Sequence, residues 1–523
     1  MKPNLCYFAK RENLFNLDLK FQLKISDMKK TLYLLVMLFT SCTIIDDSTE
    51  LYNNPHNQII DEAYSFEAIT AKDVWSTHNT IEEMQEACQI PDDYLKCMTT
   101  RSLVETCMKY PLFGNYLAYN DQFEGIMQVM SGFNGFKELR SRSDAAEELL
   151  KYYASMDVES INAQTKSEAY SNIVQGNSVI HFDYIELVLM SGAYSSIDTE
   201  DIEELRFIAE EKLQNKINSQ GLFGYESIYK TGIIIDCAKS ISNTICKSDG
   251  YVVDTTYWFN KFKDNYYNDN GSIATNGVYT KEGQYIEVLN RSNLTEAEIL
   301  TRQQYLVHMY PNAIILSPAS SRYNGHAYAW HMSDGGEECW INATTDDSPQ
   351  LVNSNIKNYW TNDYYWQTHD PLFAQKILYI SGSSTHSATR SNVVGKYESK
   401  WGDLPLVRHA PDYCPYQGTK LYFTHNATTG LLVCSSGNGE TSVGESNNYY
   451  PAQELTSEVS YRDWEILTAK GTDAVEDGKA NIYTNGNVAT ISFNYPGLYQ
   501  IFYRSYNSRN YLIGEYFFEP IVE

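Results

Sequence analysis

The texture of the chain shifts from helix-like at its start to strand-like at its end, and that shift limits what it can fold into. From Thr80 to Ile217 apolar residues recur at intervals of three and four, as in Leu149, Leu150 and Tyr153, or Ile202, Leu205, Ile208 and Leu213. That spacing lines one face of a helix. Over the last hundred residues the period is two. Ala489, Ile491, Phe493 and Tyr495 alternate with other residues between the turn signals Asn485-Gly486 and Pro496-Gly497, which is the signature of strands and tight turns. The expected fold class is therefore multidomain α+β, and 523 residues suffice for two or three cores.

Thr80 and Glu83 form a T-x-x-E pattern that opens a helix over 81–89. Pro91 restarts the chain into a short helix ending near Met98, and further helices are expected over 101–110, 122–130, 145–156, 179–190 and 200–217. After Cys246 the pattern turns to strands and turns over 268–289. A second T-x-x-E pair, Thr295 and Glu298, then caps a helix that Pro311 ends. The C-terminal strands are expected over 488–495, 498–504 and 511–518, in a small, immunoglobulin-like β-sandwich. The boundaries that follow are a leader over 1–41, a tether over 42–75, an α-helical domain over 76–250, a middle domain over 251–420 and the sandwich over 421–523.

Formal charge is −26, and removal of the leader's four excess positive charges leaves about −30. Such an acid excess argues against nucleic-acid partners and against charge-driven binding to anionic lipid. Tyrosine outnumbers phenylalanine 43 to 20, so much of the apolar surface also hydrogen-bonds, which suits sugar or protein ligands. Met28–Cys42 reads MKKTLYLLVMLFTSC: two lysines, an apolar run too short to span a bilayer, small residues and a cysteine. It resembles a bacterial lipoprotein signal, with Met28 the expected start and Cys42 the expected site of lipidation. Asp46 and Asp47 resemble the surface-export signal of Bacteroidetes lipoproteins. The resemblance implies an outer-membrane lipoprotein whose membrane partner is reached through the anchor at Cys42. The other cysteines fit no disulfide framework and no zinc pattern.

The residues that look like chemistry lie between 322 and 416. RYNGHAYAWHM spans 322–332, followed by Thr385-His386-Ser387-Ala388, Glu398-Ser399-Lys400-Trp401-Gly402, His409 and Cys414-Pro415-Tyr416. In order and spacing this resembles a family of secreted, papain-like cysteine-hydrolase-type proteins of gut Bacteroidetes and Firmicutes. Their hallmarks are N-C-H-[GS]-Y-A-W, H-S-[AG], S-K-W-G and C-P-[YF]. The resemblance implies a papain-like domain, with a helix-start thiol activated by the backbone N–H groups there and a strand histidine as base.

Carried over residue by residue, the base falls on His386, and Glu398 and Ser399 are candidates to orient it. Asn324, His326, Tyr328, Trp330 and Trp401 are the candidate ligand-binding side chains, with His326 and His409 also readable as packed histidines. The nucleophile position is Gly325, which has no side chain. Ser320, Ser321, Cys339 and Cys414 are the candidates for replacing that nucleophile. No motif calls for a cofactor, and His326 and His331 lie five apart rather than the four that suit a helical metal pair. Three readings follow: an inactive cysteine-hydrolase-like domain that binds a peptide, peptidoglycan or related amide; an adhesin binding a glycan or protein through its sandwich; or an active hydrolase with a relocated nucleophile.

Overall fold

Thr80 caps the first long helix, α1 (Ile81–Ala87), its hydroxyl accepting from Glu83 N–H, while the Glu83 carboxylate accepts from Asn79 N–H, one residue before the cap. The computed structural model describes residues 59–164, 178–219, 221–245, 252–254, 277–343, 354–361, 365–368, 371, 374–381, 384–425, 427–437, 439–453, 459–508 and 512–523. The leader, Cys42, Cys246 and the strands expected from Asn268 to Asn276 lie outside these residues. Asp61–Glu523 form one compact unit, mixed helical and sheet, with the helices in its N-terminal half and a sheet-rich C-terminal region.

The helices continue as α2 (Thr100–Met108), α3 (Gln122–Ser131), α4 (Ala145–Ser155), α5 (Val179–Met190), α6 (Thr199–Asn218) and α7 (Tyr225–Ile245). Every residue of α5 is buried, so it is the central helix of the half. Its charges survive burial because they are paired. Lys216 Nζ donates to both carboxylate oxygens of Glu186 at 3.0 Å and to Ser227 and Thr231 hydroxyls, and Lys230 lies 3.4 Å from Asp183. Helix α7 has no counterpart in the periodicity. Ile233, Ile234 and Ile235 are all buried, and a helix buried on several faces loses its three-and-four pattern.

The helix α8 (Glu296–Met309) carries a complete capping box: Thr295 accepts from Glu298 N–H and Glu298 accepts from Thr295 N–H. It packs on the helical half, where Tyr305 and Tyr310 hydroxyls both donate to Asn115 Oδ1, at 3.0 and 2.9 Å.

Two larger strand systems follow. The first has β1 (Ile314–Ser317), β2 (Tyr365–Thr368), β3 (Lys376–Ser381), β4 (Ser384–Arg390), β5 (Tyr397–Lys400), β6 (Leu406–His409) and β7 (Thr419–His425) in the order β1-β6-β5-β4-β3-β7-β2, antiparallel throughout. The second comprises β8 (Thr428–Cys434), β9 (Glu440–Thr441), β10 (Ser446–Pro451), β11 (Tyr461–Thr468), β12 (Ala480–Asn485), β13 (Val488–Phe493), β14 (Gly497–Tyr506), β15 (Leu512–Phe518) and β16 (Ile521–Val522). Here β8 joins two halves, pairing in parallel with β15 through Leu431 and antiparallel with β10 from Leu432. Ala489, Ile491 and Phe493 from one half and Ile466, Ile501 and Tyr503 from the other share one core. Asn485 pairs with Val488 across the turn begun by Gly486 at φ 64°. Tyr495 does not continue the inward face of β13; the strand stops at Phe493 and the tyrosine is exposed in the turn.

Candidate functional site

Asn324 sets the start of the helical segment that carries the site. Its Oδ1 accepts from Ala327 N–H at 3.0 Å and its amide donates to Ile341 C=O at 2.8 Å, a capping geometry. Gly325 is the first helical residue, and the segment widens into a π turn over Ala327–His331.

Strands β4 and β5 pair only at Thr389–Glu398 and Arg390–Tyr397, and beyond that Gly325 lies between them. A Cβ built on Gly325 would be 2.3 Å from His386 Cε1, 2.7 Å from His386 Nδ1 and 2.8 Å from Lys400 C=O. The structure therefore brings position 325 and His386 together, with the imidazole against the glycine backbone. On its other face His386 stacks on Tyr416, centroids 3.8 Å apart and planes 10° from parallel. The ring is 1 % exposed, and its Nε2 has no protein partner. Burial, reinforced by the neighbouring His326, His409 and Lys400, holds its pKa well below the ordinary histidine value.

The N-terminal half closes over this spot. Tyr416 donates its hydroxyl to Ala118 C=O, Asn120 donates to Thr385 C=O at 2.9 Å, and Asp403 N–H donates to Leu117 C=O at 2.8 Å.

Alternation along β4 sends Thr385 and Ser387 to the side opposite His386, where they hold His326. The carbonyl of Thr385 can only accept, so His326 Nε2 carries the proton and donates to it at 3.1 Å. His326 Nδ1 then accepts from the Ser387 hydroxyl at 2.8 Å, and that oxygen accepts from Trp330 Nε1 at 2.8 Å. A second relay of the same composition lies on β5 and β6. Trp401 Nε1 donates to Ser399 Oγ at 2.8 Å, Ser399 donates to His409 Nε2 at 2.8 Å, and His409 Nδ1 donates to Ala410 C=O at 2.8 Å. Burial pushes both His326 and His409 down to about 4, so both are neutral.

Neither candidate for orienting His386 does so. Ser399 serves His409 and Trp401. Glu398 accepts from Tyr328 hydroxyl at 2.9 Å, from Ser391 hydroxyl at 2.8 Å and from Arg408 at 2.9 Å. The candidate ligand-binding residues Asn324, His326, Trp330 and Trp401 are fully buried and committed to these contacts; Tyr328 is half-buried. Ser387 and Tyr416 belong to the quoted motifs but carry no assigned role in the sequence; the structure gives them theirs, as the partner of His326 and the stack behind His386.

Lys400 is buried and donates to Ser320 C=O at 2.7 Å and to Gly402 C=O; burial brings it down to about 7. The replacement nucleophiles are placed otherwise. Cys339 and Cys414 are buried thiols pushed up to about 12, Ser321 donates to Ser292 C=O, and Ser320 accepts from Arg322 N–H. Among the described residues no group of three or more metal-ligating side chains converges.

The family described as Domain of unknown function (DUF7689) matches residues 314–422. The matched stretch opens on β1 and ends inside β7, so the likeness covers both the helical segment begun by Gly325 and the strand carrying His386. No curated protein and no solved structure matches the chain.

Proposed function

We propose that this protein is a non-catalytic binding lipoprotein of the bacterial cell envelope, anchored at Cys42 and displayed outward. Its papain-like middle domain acts as scaffold, and its C-terminal region, an immunoglobulin-like sandwich, meets the ligand. The observation that carries the reading is the contact between His386 and Gly325. A hydrolase of this kind needs a nucleophile beside its base with room for substrate. Here the base fills the nucleophile's place, is stacked on Tyr416 and is sealed from solvent. Binding of a peptide or peptidoglycan stem at this spot would require the buried Asn324, Trp330 and Trp401 to be uncovered, so the exposed sheet region is favoured over this spot. A relocated nucleophile is disfavoured by the high pKa values of Cys339 and Cys414.

The test has two arms on the full chain. A palmitate analogue fed to expressing cells labels the protein, and Cys42→Ala abolishes the label. The purified protein leaves peptidoglycan stem peptides intact at the buffer background. Turnover that His386→Ala removes contradicts the reading.

A further inference from the structure

Strands β8, β10, β13 and β12 are neighbours in the C-terminal ladder and contain no charged residue. In a chain that is 20 % charged and carries −26, a sheet of four uncharged strands is a marked departure. Their inner sides supply Leu432, Tyr449, Ala489, Ile491 and Phe493 to the core. Register fixes the outer side. Asn448 lies opposite Thr490 and Thr490 opposite Tyr483, while Tyr450 lies opposite Val433 and Asn485 opposite Val488. Residues two apart along a strand share a face, so Tyr450, Asn448, Tyr483 and Asn485 stand on one surface. Tyr483 is 72 % exposed and Tyr450 37 %.

A second observation concerns the edge. Strand β12 ends the ladder, and soluble proteins normally guard such an edge with charge, proline or a covering element. Ala480–Asn485 has no charge and no proline.

We propose that this face binds an uncharged oligosaccharide. A sugar ring presents an apolar C–H side that stacks on tyrosine and hydroxyls that both donate and accept. Asparagine amides match those hydroxyls in both roles, and the Thr490 hydroxyl, which donates to Asn448 Oδ1 at 2.7 Å, can still accept. An anionic partner meets the acidic excess of the chain, and a cationic one finds no carboxylate on these strands. Tyr450 and Tyr483 lie on strands separated by β13, about 10 Å across and about 7 Å along. One sugar ring does not reach both, so the ligand is a chain of at least two units. The assignment rests on the binding-protein reading and names its ligand.

Affinity electrophoresis of the full chain tests it, in gels containing hydroxyethylcellulose, galactomannan or soluble starch, with polygalacturonate as the anionic comparison. Retardation is expected in at least one neutral gel, unchanged by added salt, and absent in polygalacturonate. The Tyr450→Ala/Tyr483→Ala variant, folded by circular dichroism because both rings are exposed, weakens retention at least about tenfold, or ~1.4 kcal/mol. No retardation in any neutral gel overturns the proposal, as does retardation the double variant leaves intact. Dimerisation without sugar that Tyr483→Lys abolishes also overturns it and gives the face to a second copy. None of these failures touches the lipidation and hydrolysis arms above, which involve neither tyrosine.

Discussion

The imidazole of His386 occupies the space that a side chain at Gly325 would need: a Cβ there would lie 2.3 Å from Cε1. The glycine is thus a packing requirement at this position. His386 cannot retreat easily, because Tyr416 backs it.

Gly325→Ala should therefore destabilise the protein by about 1–3 kcal/mol, the cost of overpacking a filled core. His386→Ala opens the space, so the double variant should lose less than the two single changes together, a coupling that urea unfolding measures directly. A neutral Gly325→Ala would mean that the position has room.

Ser387→Ala and Ser399→Ala each strip a histidine nitrogen and an indole N–H of their shared oxygen. Each should cost about 1–3 kcal/mol in equilibrium unfolding, because buried polar groups are left unpaired. If Ser399 instead oriented His386, only Ser387→Ala would spare the surroundings of His386, as read by its ring resonances.

Acid should destabilise the fold early. His181 is held down to about 3, and His326, His409 and His425 to about 4, by burial. Unfolded, each binds a proton below about 6.5, whereas folded it does not until about 3 to 4. Stability is thus full above about pH 6.5 and falls as pH drops towards 4, by roughly 1.4 kcal/mol per pH unit for each histidine. Thermal melts across that window measure the slope, and His409→Gln should reduce it by one proton.

Lys216→Met should be the most damaging single change, at about 3–5 kcal/mol, because it strands Glu186 in the core. Arg101, in an exposed pair with Asp61, should tolerate replacement with little change in melting temperature.

The legible parts of the fold were local. The Thr295–Glu298 box and the bounds of α5 could be read because capping and composition act within a few residues. Helix α7 could not, since burial on several faces erased its period, and Tyr495 was placed inward because alternation does not say where a strand stops. At the site, the sequence points to Gly325 and His386 as partners, through the resemblance alone. It could not assign Ser399 to His409, a pairing set by the β5–β6 register, nor show that His386 turns against Gly325, which depends on Tyr416 and the cover from Ala118–Asn120.

The most direct measurement is labelling of the folded, full-length protein at neutral pH with an epoxide probe directed at cysteine-hydrolase sites, followed by mass spectrometry. With His386 packed on Gly325 and the thiols of Cys339 and Cys414 protonated, no labelling that depends on His386 is expected. Modification of Cys339 or Cys414 that disappears in His386→Ala would contradict the account.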